Sequence, residues 1–134
     1  MATAKAKNTY VSINGTDISA YCDSSEHHVK PDIVDKTTYG KNSHVKEGTL
    51  LDGSGSIGGI YDTSAVAGPR AILQPLVGQT VTYVRRVEGT GSGKPQDSVS
   101  VVVGEYVETS PVAEIVRWTC ALEYSDDIDS TPQP

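Results

Sequence analysis

Apolar and polar residues alternate with a period of two along much of this chain, the signature of half-buried β-strands. The cleanest case is residues 114–124. There Val116, Trp118, Cys120, Leu122 and Tyr124 point one way, and Ile115, Arg117, Thr119, Ala121 and Glu123 the other. Residues 80–88 place Val81, Tyr83, Arg85 and Val87 on one face, and residues 9–14 alternate Val11 and Ile13 against Tyr10 and Ser12. Residues 99–107 are a near-continuous apolar run, as expected of a central strand. Two more strands are predicted at 24–30 and 33–38, broken at Pro31-Asp32. Residues 49–61 begin and end apolar around four glycines, which weaken a strand and let it bend.

The breaks between these runs carry their own signals. Asn14-Gly15 marks a turn, because both residues tolerate positive φ. Residues 17–21 read as a short irregular or helical turn, residues 39–48 as a long exposed loop, and residues 89–98 as a glycine-rich loop. The helical candidate is residues 64–77, where Ile72, Leu73, Leu76 and Val77 would share a face; Pro69 and Pro75 limit it to one or two turns. Six or seven strands with one short helix predict a mainly β fold. The natural architecture is an antiparallel β-sandwich or barrel with the helix packed at one edge. Its core should contain Ile13, Val116, Trp118, Cys120 and Leu122.

With 134 residues, the chain has the length of one domain. Residues 9–124 form the β domain. Residues 1–8 read as a flexible arm carrying Lys5 and Lys7, and residues 125–134 as an acidic tail with Asp126, Asp127 and Asp129, disordered in isolation. The net charge of −6 argues against a uniformly basic grip on nucleic acid. No apolar stretch approaches the roughly 18 residues of a membrane span, and the first residues do not read as a secretory signal. Cys22 and Cys120 exclude a disulfide scaffold and a four-cysteine zinc site. Both are expected reduced, with one disulfide open if their strands are neighbours.

Candidate chemistry is sparse. Residues 53–58, GSGSIG, match G-x-G-x-x-G, but a dinucleotide site needs a helix after it and an acid about 20 positions on, and neither is present. A glycine strand closely approached by other backbone is the better reading. His27 and His28 point to opposite faces of a strand and cannot chelate one ion together; Glu26 and His28 share a face, with His44 nearby on a loop, which reads as a polar solvated surface. Cys120 sits among apolar neighbours and reads as core. No catalytic residue, metal site or cofactor is expected.

Open sheet edges are more telling. Residues 52–60 and 99–107 carry few of the charges that block edge-to-edge pairing. Small glycine-rich strands suit a sheet that continues across a subunit boundary, and a head-to-tail contact of that kind closes into a ring. Arm, loop and tail then become interlocking devices.

A series of segments carries a resemblance. It runs from residues 14–22 (NGTDISAYC) through 34–40 (VDKTTYG), 59–62 (GIYD) and 67–73 (AGPRAIL) to 108–114 (ETSPVAE), ahead of the Trp118 strand. In order and spacing it resembles the major tail (tail tube) proteins of long-tailed, non-contractile bacteriophages, especially those of actinobacterial hosts, over residues 9–124. The resemblance implies a β-sandwich with a flanking helix and homo-hexameric rings that stack into a hollow virion tube, assembled in the host cytoplasm. It also implies tape-measure, tail terminator and baseplate proteins as partners, and DNA passing through the lumen without specific binding. Carried onto this chain, the stacking loop is residues 39–48, with Tyr39, Lys41, Asn42, His44, Lys46 and Glu47. Strands around 24–38 and 48–61 supply the lumen and inter-subunit surface, with Glu26, His28, Asp35, Asp52, Ser54, Gly55, Ser56 and Gly58. The glycines, Gly53 and Gly59 included, would keep this strand thin. An acidic lumen repels DNA and lets it slide, and Glu26, Asp35 and Asp52 fit that need. A capsid decoration protein, a head–tail joining protein and a monomeric β-sandwich binding module stay open as alternatives. The scattering of the tyrosines disfavours the last.

Overall fold

The computed structural model describes residues 2–64 and 68–134. Its strands are β1 (Tyr10–Ile13), β2 (Thr16–Asp17), β3 (Ser24–Asp35), β4 (Lys46–Ile60), β5 (Thr80–Arg86), β6 (Asp97–Thr109) and β7 (Arg117–Tyr124). They form one antiparallel sheet in the order β2-β1-β5-β6-β7-β4-β3. In a flat sheet β3 would lie four strand spacings, about 19 Å, from β5. Instead Arg85 Nε donates to Ser25 Oγ at 3.0 Å, and His27 Nε2 lies 3.9 Å from Asp97 Oδ2. The sheet therefore coils until the inward faces of its two ends meet, and the expected layers are opposite walls of a single sheet.

The inward face holds Val11, Ile13, Val81, Tyr83, Val99, Val101, Val103, Trp118, Cys120, Leu122 and Ile57, closed off by Ile18 and Leu73. β7 alternates buried and exposed positions as its sequence predicts, and β6 is central. Val116 departs from the expectation. It lies before β7, half-buried, because the chain turns at 111–114, where Glu114 N–H donates to Pro111 O. Its carbonyl instead accepts Tyr61 N–H at 2.9 Å. Asn14 and Gly15 both have positive φ, at 51° and 80°, in the β1–β2 turn.

The predicted break at Pro31-Asp32 is a bulge within one long strand. The β3–β4 register shifts between Pro31 and Ile33, and Thr49 Oγ1 donates to the carbonyl of Asp32 at 3.1 Å. The helix is α1 (Pro69–Leu73), extended by a 3₁₀ turn over Gln74–Leu76; residues 65–67 of the predicted stretch lie outside the described residues. Leu73 is buried, Ile72 and Leu76 pack partly against the core, and Val77 is exposed where the chain leaves the turn.

Of the β4 glycines, Gly59 meets the close backbone approach expected of this strand, and Gly55 takes a role other than the lumen one expected. A Cβ on Gly59 would lie 1.8 Å from the carbonyl oxygen of Tyr21, and one on Gly55 would lie 2.9 Å from the Tyr124 hydroxyl. Gly55 thus clears space inside the subunit for an aromatic ring, and its Cα–H faces inward, away from any lumen. Gly58 stands on the outward face between Ser24 and Thr119.

The acidic tail also departs from expectation, because its backbone continues beyond β7 along β6. Ser125 N–H donates to Ser100 O, and Asp129 exchanges two backbone hydrogen bonds with Ser98, at 2.8 and 2.9 Å. Gln133 ends the strap. Its side chain is buried, donates to Gly89 O at 2.9 Å and accepts from Gly91 N–H at 3.1 Å, while its backbone pairs with Gly93 and Lys94. The sequence composition pointed to disorder, but one buried amide that satisfies a tight loop offsets the polarity of the segment.

These contacts rank three substitutions. Gly59→Ala should destabilise the subunit by about 1–3 kcal/mol through overpacking. Gly104→Ala, where a Cβ meets only Ala121 O at 3.7 Å, should be near neutral. Trp118→Ala should cost about 3–5 kcal/mol through the cavity it leaves. Urea denaturation followed by circular dichroism measures all three.

Candidate assembly surfaces

Two surfaces stand out, and alternation in the strands builds the first. Residues of β3, β4 and β7 that do not face the core lie in register on the outward face. His28, Ser54 and Glu123 form one row, and Glu26, Ser56 and Ala121 the next. Lys30 and Asp52 pair one step further out. Glu105 of β6 continues the second row beside Ala121. The centre of this face is made of small side chains. Four carboxylates, Glu26, Asp52, Glu105 and Glu123, stand on it against Lys30. His28 Nε2 donates to Glu26 Oε2 at 3.0 Å. At one end Arg117 Nη2 contacts both oxygens of Asp23, at 2.6 and 2.8 Å, tying β7 to the segment before β3.

The second surface is the β3–β4 hairpin itself. β4 pairs with β7 only from Ser54 to Ile60, so residues 46–53 pair with β3 alone and the outer half projects beyond the sheet. Ile33, Leu50 and Leu51 are 63, 77 and 73 % exposed there. Apolar side chains held that far into solvent on a two-stranded ribbon make the hairpin a candidate contact surface. The connecting loop is residues 36–45, so Lys46 and Glu47 belong to β4, opposite Asp35 and Val34. Tyr39, Lys41, Asn42 and His44 do sit on the loop, all exposed.

Asp35 organises this tip, which differs from its expected place in the lumen. Its Oδ1 accepts the backbone N–H and the hydroxyl of Thr37, at 2.9 and 2.5 Å, and His44 Nδ1 donates to Oδ2 at 3.1 Å. Thr37 Oγ1 in turn accepts Val45 N–H at 2.8 Å. The Thr37 hydroxyl first, and its N–H second, hold the Asp35 carboxyl below the usual carboxylate range. The sequence reading missed Thr37, although Asp-x-Thr is a known side-chain-to-backbone turn signal.

The sequence reading also missed a polar cluster at the hairpin base. His27 Nδ1 and Tyr124 OH are 2.6 Å apart. Burial pushes the phenol up to about 12, and His27 Nε2 lies on the side of Asp97. Both cysteines are free thiols, Cys22 half-buried and Cys120 buried. Burial pushes each up to about 12, which leaves neither as a thiolate nucleophile near neutral pH. Among the described residues no group of three or more His, Cys, Asp or Glu is placed to hold a metal ion.

The fold recurs in solved structures. A chain of the virion of a native gene transfer agent particle superposes with TM-score 0.76, covering 96 % of this chain and 99 % of that one at 11 % identity. A chain of the tail of an empty gene transfer agent particle, solved with C6 symmetry, gives TM-score 0.73 at 11 % identity, with the same coverage. The SPP1 tail tube matches with TM-score 0.69 at 9 % identity, covering 98 % of this chain and 81 % of that one. The chain has the tail-tube fold. No family model and no curated protein matches its sequence. Within the tail-tube fold, Glu26, His28, Ser54 and Ser56 stand together on one outward face with Asp52. Asp35 belongs with the tip loop, and Lys5 and Lys7 with an exposed arm.

The loop network predicts a local effect. Asp35→Ala should speed amide exchange at Thr37 and Val45 while leaving the strand amides and the melting temperature of the subunit unchanged. Because the folded carboxyl is shifted downward, the loop contacts are fully present above its ordinary value and are lost as pH falls through the lowered one. Amide exchange measured by nuclear magnetic resonance, at neutral pH and on acidification, checks both statements.

Proposed function

We propose that this protein is the major tail tube subunit of a non-contractile, phage-like virion tail. The likeness to virion and tail chains over 96 % or more of its length is the observation that carries this reading. The outward face of β3, β4 and β7 supports it: small, polar and dominated by carboxylates, it suits a lumen wall. Phosphates gain nothing from such a wall, because there are few cations to release counterions against, so DNA slides along it. Six copies close a ring, with the edges of neighbouring sheets meeting around the lumen. The rings stack through the projecting hairpins. Tape-measure, tail terminator and baseplate proteins are the partners at the tube's axis and ends, and assembly takes place in the host cytoplasm. The role is structural and not enzymatic.

Replacing residues 36–45 by Asn-Gly tests this reading. Asp35 and Lys46 are already paired, so a two-residue turn closes the hairpin without disturbing the strands. Negative-stain microscopy should show tubes from the wild type, and folded rings or monomers without tubes from the variant. Normal tubes from the variant would remove the tip loop from the stacking contact.

A further inference from the structure

The chain has a net charge of −6, yet four of its cations gather at one end of β5. Arg86 stands on the outward face beside Tyr10 of β1, its partner in register. Its guanidinium carbon lies 4.5 Å from the centre of the Tyr10 ring. Nε donates to Gln96 Oε1 at 2.8 Å and Nη1 to Thr90 Oγ1 at 3.2 Å, which fixes the fork over the ring. The 3₁₀ turn Ala6–Asn8 packs on the same strand end. A Cβ on Gly89 would lie 2.6 Å from Asn8 O, and Thr9 Oγ1 donates to Val87 O at 3.0 Å. This packing puts Lys5 beside Lys94 and Glu88. Lys7 faces a cleft whose carboxylates, Asp23 and Glu26, are already held by Arg117 and His28. Lys5, Lys7 and Lys94 are exposed, and none of the four cations makes an ion pair among the described residues. β1 and β5 lie far from β3 and β4 in the strand order, so the coil places this patch on the wall opposite the acidic face.

We propose that this patch binds a flexible phosphodiester polymer of the polyol phosphate kind. A planar guanidinium matches a phosphate through two parallel hydrogen bonds, and one already stacked on an aromatic ring loses little freedom on binding. The three lysines add point charges around it. Duplex DNA fits less well. It is stiff and carries one charge per roughly 1.7 Å, so it would run off the patch onto the surface of an acidic protein. A flexible chain with one phosphate per repeat confines its contacts to the four cations. The patch belongs to the single subunit; only its place on the outer wall of a tube rests on the tube reading.

Fluorescence anisotropy of labelled poly(glycerol phosphate), titrated with the full-length protein over a range of salt concentrations, tests the site. The logarithm of affinity should fall against the logarithm of salt with a slope of about −3 for four phosphate contacts on a flexible chain. Arg86→Gln with Lys94→Gln should weaken binding about tenfold or more and halve the slope. Arg86→Lys should keep the slope and lose about threefold in affinity, because the charge stays and the fork is gone. Lys41→Gln with Lys46→Gln removes the same charge from the hairpin and should leave affinity and slope unchanged. Equal weakening by the hairpin and patch variants, or no binding by the wild type at low salt, overturns the proposal. So does tighter binding of a short duplex DNA than of the polyol phosphate. Binding by free subunits that is lost in assembled tubes supports the patch and rejects its place on the outer wall. Binding by a protein that never forms tubes supports the patch and rejects the tube reading.

Discussion

The fold depends on one constraint, which is that β4 must be thin on its inward side. A seven-stranded sheet coils on itself only if its end strands can approach the opposite wall. The Tyr124 ring occupies the space over Gly53 and Gly55, and the backbone of Tyr21 rests on Gly59, where a Cβ would sit 1.8 Å from a carbonyl oxygen. With that clearance β3 reaches β5, Ser25 meets Arg85, and the polar cluster of His27, Tyr124 and Asp97 forms where the walls meet. The same closure directs β3 and β4 outward as a ribbon, because β7 ends its pairing at Ser54 and the hairpin continues without it.

Packing thereby uses one face of these strands and leaves the other for the proposed lumen wall. Inward positions of β4 serve the core, and outward positions carry Ser54 and Ser56 between the acidic and histidine side chains of β3 and β7. A strand of alternating glycine and serine meets both needs at once. Large residues on the inward side would block the coil, and in the proposed tube cations on the outward side would hold passing DNA.

Much of this was legible in the sequence wherever period-two alternation was strong. β7 from Trp118 to Tyr124, β5, the Asn14-Gly15 turn and the proline-limited helix all follow from local pattern. Three features depended on non-local contacts and were not legible. Pro31-Asp32 reads as a break, but pairing with β4 absorbs it as a bulge. The tail reads as disordered by composition, but Gln133 finds a buried polar socket in the β5–β6 connection. Gly55 reads as a lumen residue, but the aromatic ring that needs its space comes from β7. The site residues divide the same way. Glu26, His28, Ser54 and Ser56 share a face by alternation alone, whereas Asp35 was misplaced because its partners, Thr37 and His44, are loop residues with no period.

The central claim is that six copies of this coiled sheet line a tube with the outward face of β3, β4 and β7. A helical cryo-electron microscopy reconstruction of the polymerised protein tests it most directly. The account predicts sixfold rings with Glu26, Ser54, Ser56 and Glu123 facing the axis and the hairpins of one ring reaching the next. A polymer with that face on its outer wall, or a protein that stays monomeric at all concentrations, would contradict it.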